Sequence, residues 1–447
     1  MMDRELPQRL SHFHRIAALA VLLAGSACSE LDAPVARAPR SSLPRDRLVA
    51  AATTPTAADA VAISARIRRL HVPYGTVVDP RFASADSSIT GFTQLVGYAR
   101  AGDSAIWTGH YLAAEAFRYA VTHSRVALAS VRAEVNAVQS LIDVTGTDVL
   151  ARVLVPTSAV FAPSITGDAG PGDLYTGSIR GQSYYWIGNT SRDQYTGVMF
   201  GLAVTYDLVP DRAVRAVVRR TVTRLLTFLI SHGWNVVMPD GKVSTTFLQR
   251  PEIQLSFLQV GRHVNPVAFA ALYAAERGGM AATVSLPIQA ECQDTYGSYY
   301  KFNLDYANLY DLVRLETDDI ATRALYVNAY ETLRGCTATH ENAHFDMVDR
   351  ALTGPSVERD AATIDYLDRW LERARRDYYV DLRNQYPACG ENRACSPIPA
   401  EQRPNTDFLW QRSPLLLYGG GEGTVETAGI DFILPYWMAR FYGVLAS

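Results

Sequence analysis

A chain of 447 residues, 48% hydrophobic and 19% charged, with a formal net charge of −3, is long enough for one large core and carries no charge excess of the kind nucleic-acid binding requires. Lys242 and Lys301 are the only lysines. An Arg-over-Lys bias in an Ala-rich chain reads as compositional bias rather than a phosphate-binding device, so nucleic acid is not expected as a partner.

In chain order, Arg4, Arg9 and Arg15 come first, followed by the apolar run "IAALAVLLAGSA". At about a dozen residues this run is too short to span a bilayer, and its charge order is that of a secretory signal. It ends at Cys28 in "LLAGSACS", which resembles the lipobox of bacterial lipoproteins, although Gly25 stands where an aliphatic residue is usual. The resemblance implies a signal over residues 1–28, with Cys28 lipidated as the first mature residue. Within that resemblance, Ser29 in place of Asp implies sorting to the outer membrane or cell surface. The chain is therefore expected to be an exported lipoprotein that meets the membrane only through its anchor. Residues 29–57, rich in Pro, Ser, Ala and Arg without a sustained period, read as a tether.

From residue 58 to 447, apolar residues recur at helical spacing and alternating strands are hard to find. The periodicity predicts helices near 58–71, 103–122, 125–145, 191–208, 212–231, 251–263, 266–277, 303–316, 318–334, 340–352, 358–376 and 428–445. The joins after 122, 208, 263, 316 and 352 are short. Four of the others, 146–190, 232–250, 278–302 and 377–427, are long. Short joins make antiparallel hairpins, and alternating long joins place the long loops on one face. This order resembles the (α/α)6 toroid of the six-hairpin glycosidase-like superfamily, implying a single all-α domain over 58–447. The resemblance implies a glycoside hydrolase, polysaccharide lyase or uronyl epimerase, and no family motif carries over a catalytic residue.

Helices that follow long loops would open on the loop face, where each first turn carries an acid: Asp103, Asp193, Glu252, Asp305, Glu341 and Asp431. Helix starts favour acids in any case, and Ser191 with Gln194 has capping-box spacing. Trp107, Tyr185, Trp186, Tyr195 and Trp410 are candidates for stacking on sugar rings, and Arg192 and Arg412 for binding their polar groups. Hydrolysis needs two carboxyl groups in different protonation states, for which Asp193 with Asp103 or Glu252 are candidates. Elimination from a uronate needs a base and a carboxylate-neutralising group, for which His110, His344, Tyr195 and Arg192 are suitable types. A carbohydrate is the expected partner in either route. A non-catalytic glycan-binding or scaffold lipoprotein is the third possibility.

"HENAH" at 340–344 has the spacing that lets two histidines on one helix face hold zinc, with Glu341 as base. Thr339 reads as a cap that places His340 and Glu341 in a first turn, and no downstream ligand motif is evident. No cofactor is therefore expected, and zinc on His340 and His344 stands as the alternative. "YGGGEG" (418–423) lacks the Lys-Ser/Thr of a phosphate loop and reads as a flexible loop. Four cysteines remain beyond Cys28, an even number suited to an oxidising compartment. Cys389 and Cys395 bracket a short loop and would pair with each other, leaving Cys292 with Cys336.

Overall fold

The computed structural model describes residues 54–405 and 408–446. The expected signal, Cys28 and nearly all of the tether lie outside the described residues. In chain order the helices are α1 (Ala57–Arg66, continued by a π turn at Ile67–His71), α2 (Ser104–Thr122), α3 (Arg125–Asp143), α4 (Ala162–Thr166), α5 (Arg192–Leu208), α6 (Arg212–Ser231) and α7 (Pro251–Val264). They continue as α8 (Pro266–Met280), α9 (Ser285–Glu291), α10 (Tyr300–Leu315), α11 (Ile320–Thr337), α12 (Ala343–Thr353), α13 (Val357–Leu371) and α14 (Ile430–Phe441). The strands are β1 (Asp79–Phe82), β2 (Leu95–Ala99), β3 (Val153–Pro156), β4 (Leu174–Ile179), β5 (Gln182–Ile187), β6 (Asn235–Val237), β7 (Val243–Thr246), β8 (Arg376–Asp381) and β9 (Tyr418–Glu426).

The all-α class expected from periodicity, and the (α/α)6 toroid implied by the resemblance, are corrected by these strands. The protein is mixed α/β, 55% helix and 13% strand in three antiparallel sheets. Their orders are β2-β1-β9-β8, β3-β5-β4 and β6-β7. β3 to β7 and β9 lie in the long joins and β1 and β2 between α1 and α2; the strands are short, and β4 alternates only between exposed and half-buried positions. β4 and β5 meet at Arg180 and Gly181, whose φ values of 50° and 83° suit the tight hairpin turn that matches strand twist. "YGGGEG" is the start of β9 rather than a loop. Its Gly420 (φ +113°) lies so close to the Tyr378 backbone that a Cβ would collide with it, so glycine is what lets this strand approach β8.

The short joins turn tightly because the next helix begins on an oxygen cap or a proline. Asp211 accepts from Val214 N at 2.9 Å, Asp319 from Thr322 N at 3.0 Å, and Pro266 opens α8. Within the helical layer, successive packing neighbours are α2, α5, α7, α10, α12 and α14, with α14 also against α2. The closest approach is between α2 and α5, where Gly109, Gly197 and Gly201 leave no room for a side chain between the two backbones. Parallel packing at that distance puts the first turns of α2 and α5 side by side. At the opposite helix ends Asp207 ties α5 to α7 and α10 through His263 and Arg314. Disulfides join Cys292 to Cys336 and Cys389 to Cys395. No helix among the described residues is long and apolar enough to cross a membrane.

Candidate functional site

Asp103 and Asp193 sit at the adjoining starts of α2 and α5. Gln194 links the two ends: its Oε1 accepts from Ile106 N at 3.0 Å and its Nε2 donates to Asp103 Oδ1 at 3.1 Å. Gln411 Nε2 donates to the other Asp103 oxygen at 3.3 Å. Asp193 accepts a short hydrogen bond from the Ser191 hydroxyl. Arg152, just ahead of β3, donates to Ser191 Oγ at 2.7 Å, to Gly102 O at 2.7 Å and to Asn189 O at 2.9 Å. Its Nη1 lies 3.6 Å from Asp103, whose side chain keeps 33% exposure.

The two acids have unlike surroundings. Burial, and then the neighbouring Asp193 charge, push the Asp103 pKa above the ordinary carboxylate value, against the pull of Arg152 and the two glutamines. Helix capping does not explain the pair. Ser191 is the N-cap of α5 and Asp103 that of α2, yet neither side chain caps a helix amide. Ser191 and Gln194 are turned onto the two acids instead of forming a capping box.

The other acids of the expected ring are separated from this pair by their own partners. Glu252 is buried and bonded to Arg250 at 2.5 Å, and the same arginine holds Glu291 at 2.7 Å and approaches Asp305 at 3.8 Å. Burial pushes Glu252 up to about 7, and burial with the Glu291 charge holds Asp305 well above the ordinary range. Asp431 accepts from Leu409 N at 3.0 Å, and Glu341 (φ 49°) lies 3.7 Å from Arg403. Of the six acids, only Asp103 and Asp193 share a half-exposed position.

Most of the aromatic candidates are enclosed. Trp107, Trp186, Tyr195 and Trp410 are each at most 3% exposed. Trp186 stacks on Tyr175 at 4.4 Å, and the Tyr195 hydroxyl accepts from Leu150 N at 3.2 Å. Tyr185 is half-buried on β5 and Arg412 is exposed beside Gln411, whereas Arg192 donates to Thr246 O at 3.3 Å. His110 and His344 lie in the covered interior, ring centres 6.1 Å apart, with Trp410 4.9 Å from His344. Burial lowers His110 to about 4 and His344 well below its ordinary value, so both are neutral imidazoles.

The "HENAH" segment does not form a helical histidine pair. α12 starts only at Ala343, because Asn342 Oδ1 accepts from His344 N at 3.1 Å and so caps the helix after His340. Thr339 is not the cap. His340 bonds Tyr299 OH at 3.0 Å, while His344 packs into the interior. Among the described residues no group of three or more His, Cys, Asp or Glu side chains is arranged to hold a metal ion. These donors therefore do not fit a zinc site.

Arg152 and Gln411 were missed by sequence reading. Arg152 precedes an apolar strand and Gln411 lies in a long join, and neither has a local pattern that points to Asp103. Fold and site together define a mixed α/β protein with a paired-carboxylate site at two helix starts. No family model, curated protein or solved structure matches this chain.

Proposed function

We propose that this protein is an exported, lipid-anchored carbohydrate-active enzyme that cleaves a poly- or oligosaccharide by general acid–base chemistry. Asp103 is the proton donor and Asp193 the partner carboxyl group. The observation that carries this reading is the pairing of two carboxyl groups in unlike environments at one half-exposed place. A carboxyl group whose pKa is raised by burial and by a neighbouring carboxylate is the arrangement on which acid-catalysed glycosidic bond cleavage draws. Arg152 fixes the loop before α5 and limits the rise in the Asp103 pKa.

The test is a screen of the full chain against neutral and acidic glycans, reading reducing-end release for hydrolysis and ultraviolet absorbance of an unsaturated uronate for elimination. Cleavage that is lost in both Asp103→Asn and Asp193→Asn supports the reading. Binding without turnover, or turnover that survives both substitutions, would sink it.

A further inference from the structure

A cavity of about 410 Å³ opens between the end of α13, β8 and residues 401–405. Arg373, Arg376 and Arg403 line it, and among its described lining residues the one carboxylate is Glu401, which already accepts from Arg369 at 3.4 Å. The three guanidinium groups donate mainly to neutral carbonyls. Arg403 serves Ile398 O at 2.6 Å, Glu341 O at 3.1 Å and His340 O at 3.3 Å. Arg376 serves Phe92 O at 2.7 Å, and Arg373 serves Pro404 O at 3.3 Å.

Their carboxylate neighbours stand further off than the about 2.7–2.9 Å of a charge-assisted hydrogen bond. Asp431 is 3.8 Å from Arg373, Glu426 is 3.5 Å from Arg376, and Glu341 is 3.7 Å from Arg403. Glu426 is held more closely by Arg66, at 2.5 Å, and Asp431 by Leu409 N. Among the described residues the Nε of the buried Arg373 has no hydrogen-bond partner, and that of the buried Arg376 has only the Glu426 oxygen at 3.5 Å. Burial accordingly lowers the pKa of both, as expected where positive charge is incompletely matched.

We propose that this cavity binds the carboxylate of an acidic sugar unit, so that the glycan acted on at Asp103 and Asp193 is uronate-bearing. This identification of the substrate class rests on the glycan-cleaving reading. The remaining lining suits a sugar: Gln385 supplies an amide, Asn405 its Oδ1, and Tyr378 a ring face. The cavity and the acid pair also share one chain segment. Arg373 faces Asp431 at 3.8 Å, Asp431 holds Leu409 N, and Gln411 donates to Asp103.

Calorimetric titration of the full chain with glucuronate, and with glucose as the neutral control, tests the site. Glucuronate is expected to bind and glucose not, with affinity falling about tenfold or more in Arg373→Gln. Glu401→Gln removes a repulsive charge from the lining and is expected to bind glucuronate about threefold more tightly, a check that holds even if the Arg373 variant fails to fold. Equal binding of the two sugars, glucuronate affinity unchanged in folded Arg373→Gln, or weaker binding in Glu401→Gln overturns the proposal. Asp193→Asn separates the two readings. Glucuronate binding that depends on Arg373, in a chain that cleaves no glycan, removes the proposed reaction and leaves the carboxylate site standing.

Discussion

Asp103 at the start of α2 and Gln194 in the first turn of α5 are joined by a 3.1 Å hydrogen bond, which ties together the two helix ends that carry the acid pair. Asp193 acts on Asp103 through charge rather than through that bond. Asp193→Asn is therefore expected to lower the Asp103 pKa, read by carbon-13 titration of its carboxyl, and either acid-to-amide substitution to cut glycan cleavage by about 10²–10⁴-fold. An Asp103 value that stays put in Asp193→Asn would show that the carboxyl groups are not electrostatically paired.

Arg152→Leu removes two hydrogen bonds to the loop before α5, one to Gly102 ahead of α2, and the positive charge 3.6 Å from Asp103. The alkaline limb of the pH–rate profile is expected to move to higher pH, because Arg152 normally lowers the Asp103 pKa. Stability should fall by about 2 kcal/mol for the lost charged hydrogen bonds. Arg152→Lys should restore part of the pH shift but little of the stability, since an ammonium cannot reproduce the fork. A drop in melting temperature with no movement of the pH limb would make Arg152 purely structural.

Gly109→Ala places a methyl group into the Gly197 backbone at the closest approach of α2 and α5. The expected loss is about 3 kcal/mol, with activity falling as the helix starts separate. Gly102→Ala, where nothing lies within 4 Å of an added Cβ, is the control and should change stability by less than about 0.5 kcal/mol. Comparable urea midpoints for the two variants would contradict the close packing.

Glu252 has a folded pKa of about 7 against its ordinary 4.5. Because the folded value is raised, its contribution to stability is complete below pH 4.5 and is lost as pH rises through about 7. The loss reaches about 3 kcal/mol. Glu252→Gln should flatten that part of the pH–stability curve, measured by urea unfolding at several pH values. Parallel curves for the two proteins would mean that Glu252 does not titrate in this window.

Helical periodicity placed the long helices to within a few residues, as at 212–231 and 125–143, because each carries a core face repeated over several turns. The strands were missed for the converse reason. β6 has three residues and β4 alternates only between exposed and half-buried positions, so neither burial nor length made a strong pattern. β9 was hidden by glycines whose use, close approach to β8, depends on a partner strand remote in the chain.

What the sequence by itself determined was local: where helices begin and end, which joins are short, and that Asp103 and Asp193 lie at helix starts. These follow from capping, proline and repeat spacing, which act between near neighbours. Tertiary structure alone decided which acids meet. Six candidates had the same local signature, but the glycine-mediated contact of α2 with α5 paired Asp103 with Asp193, while Arg250 drew Glu252 and Asp305 into a buried ion group. It also enclosed Trp107 and Trp410 in the interior and brought Arg152 from the start of β3 to the loop before α5. Burial and charge pairing depend on residues far apart in the chain, so no local spacing could report them.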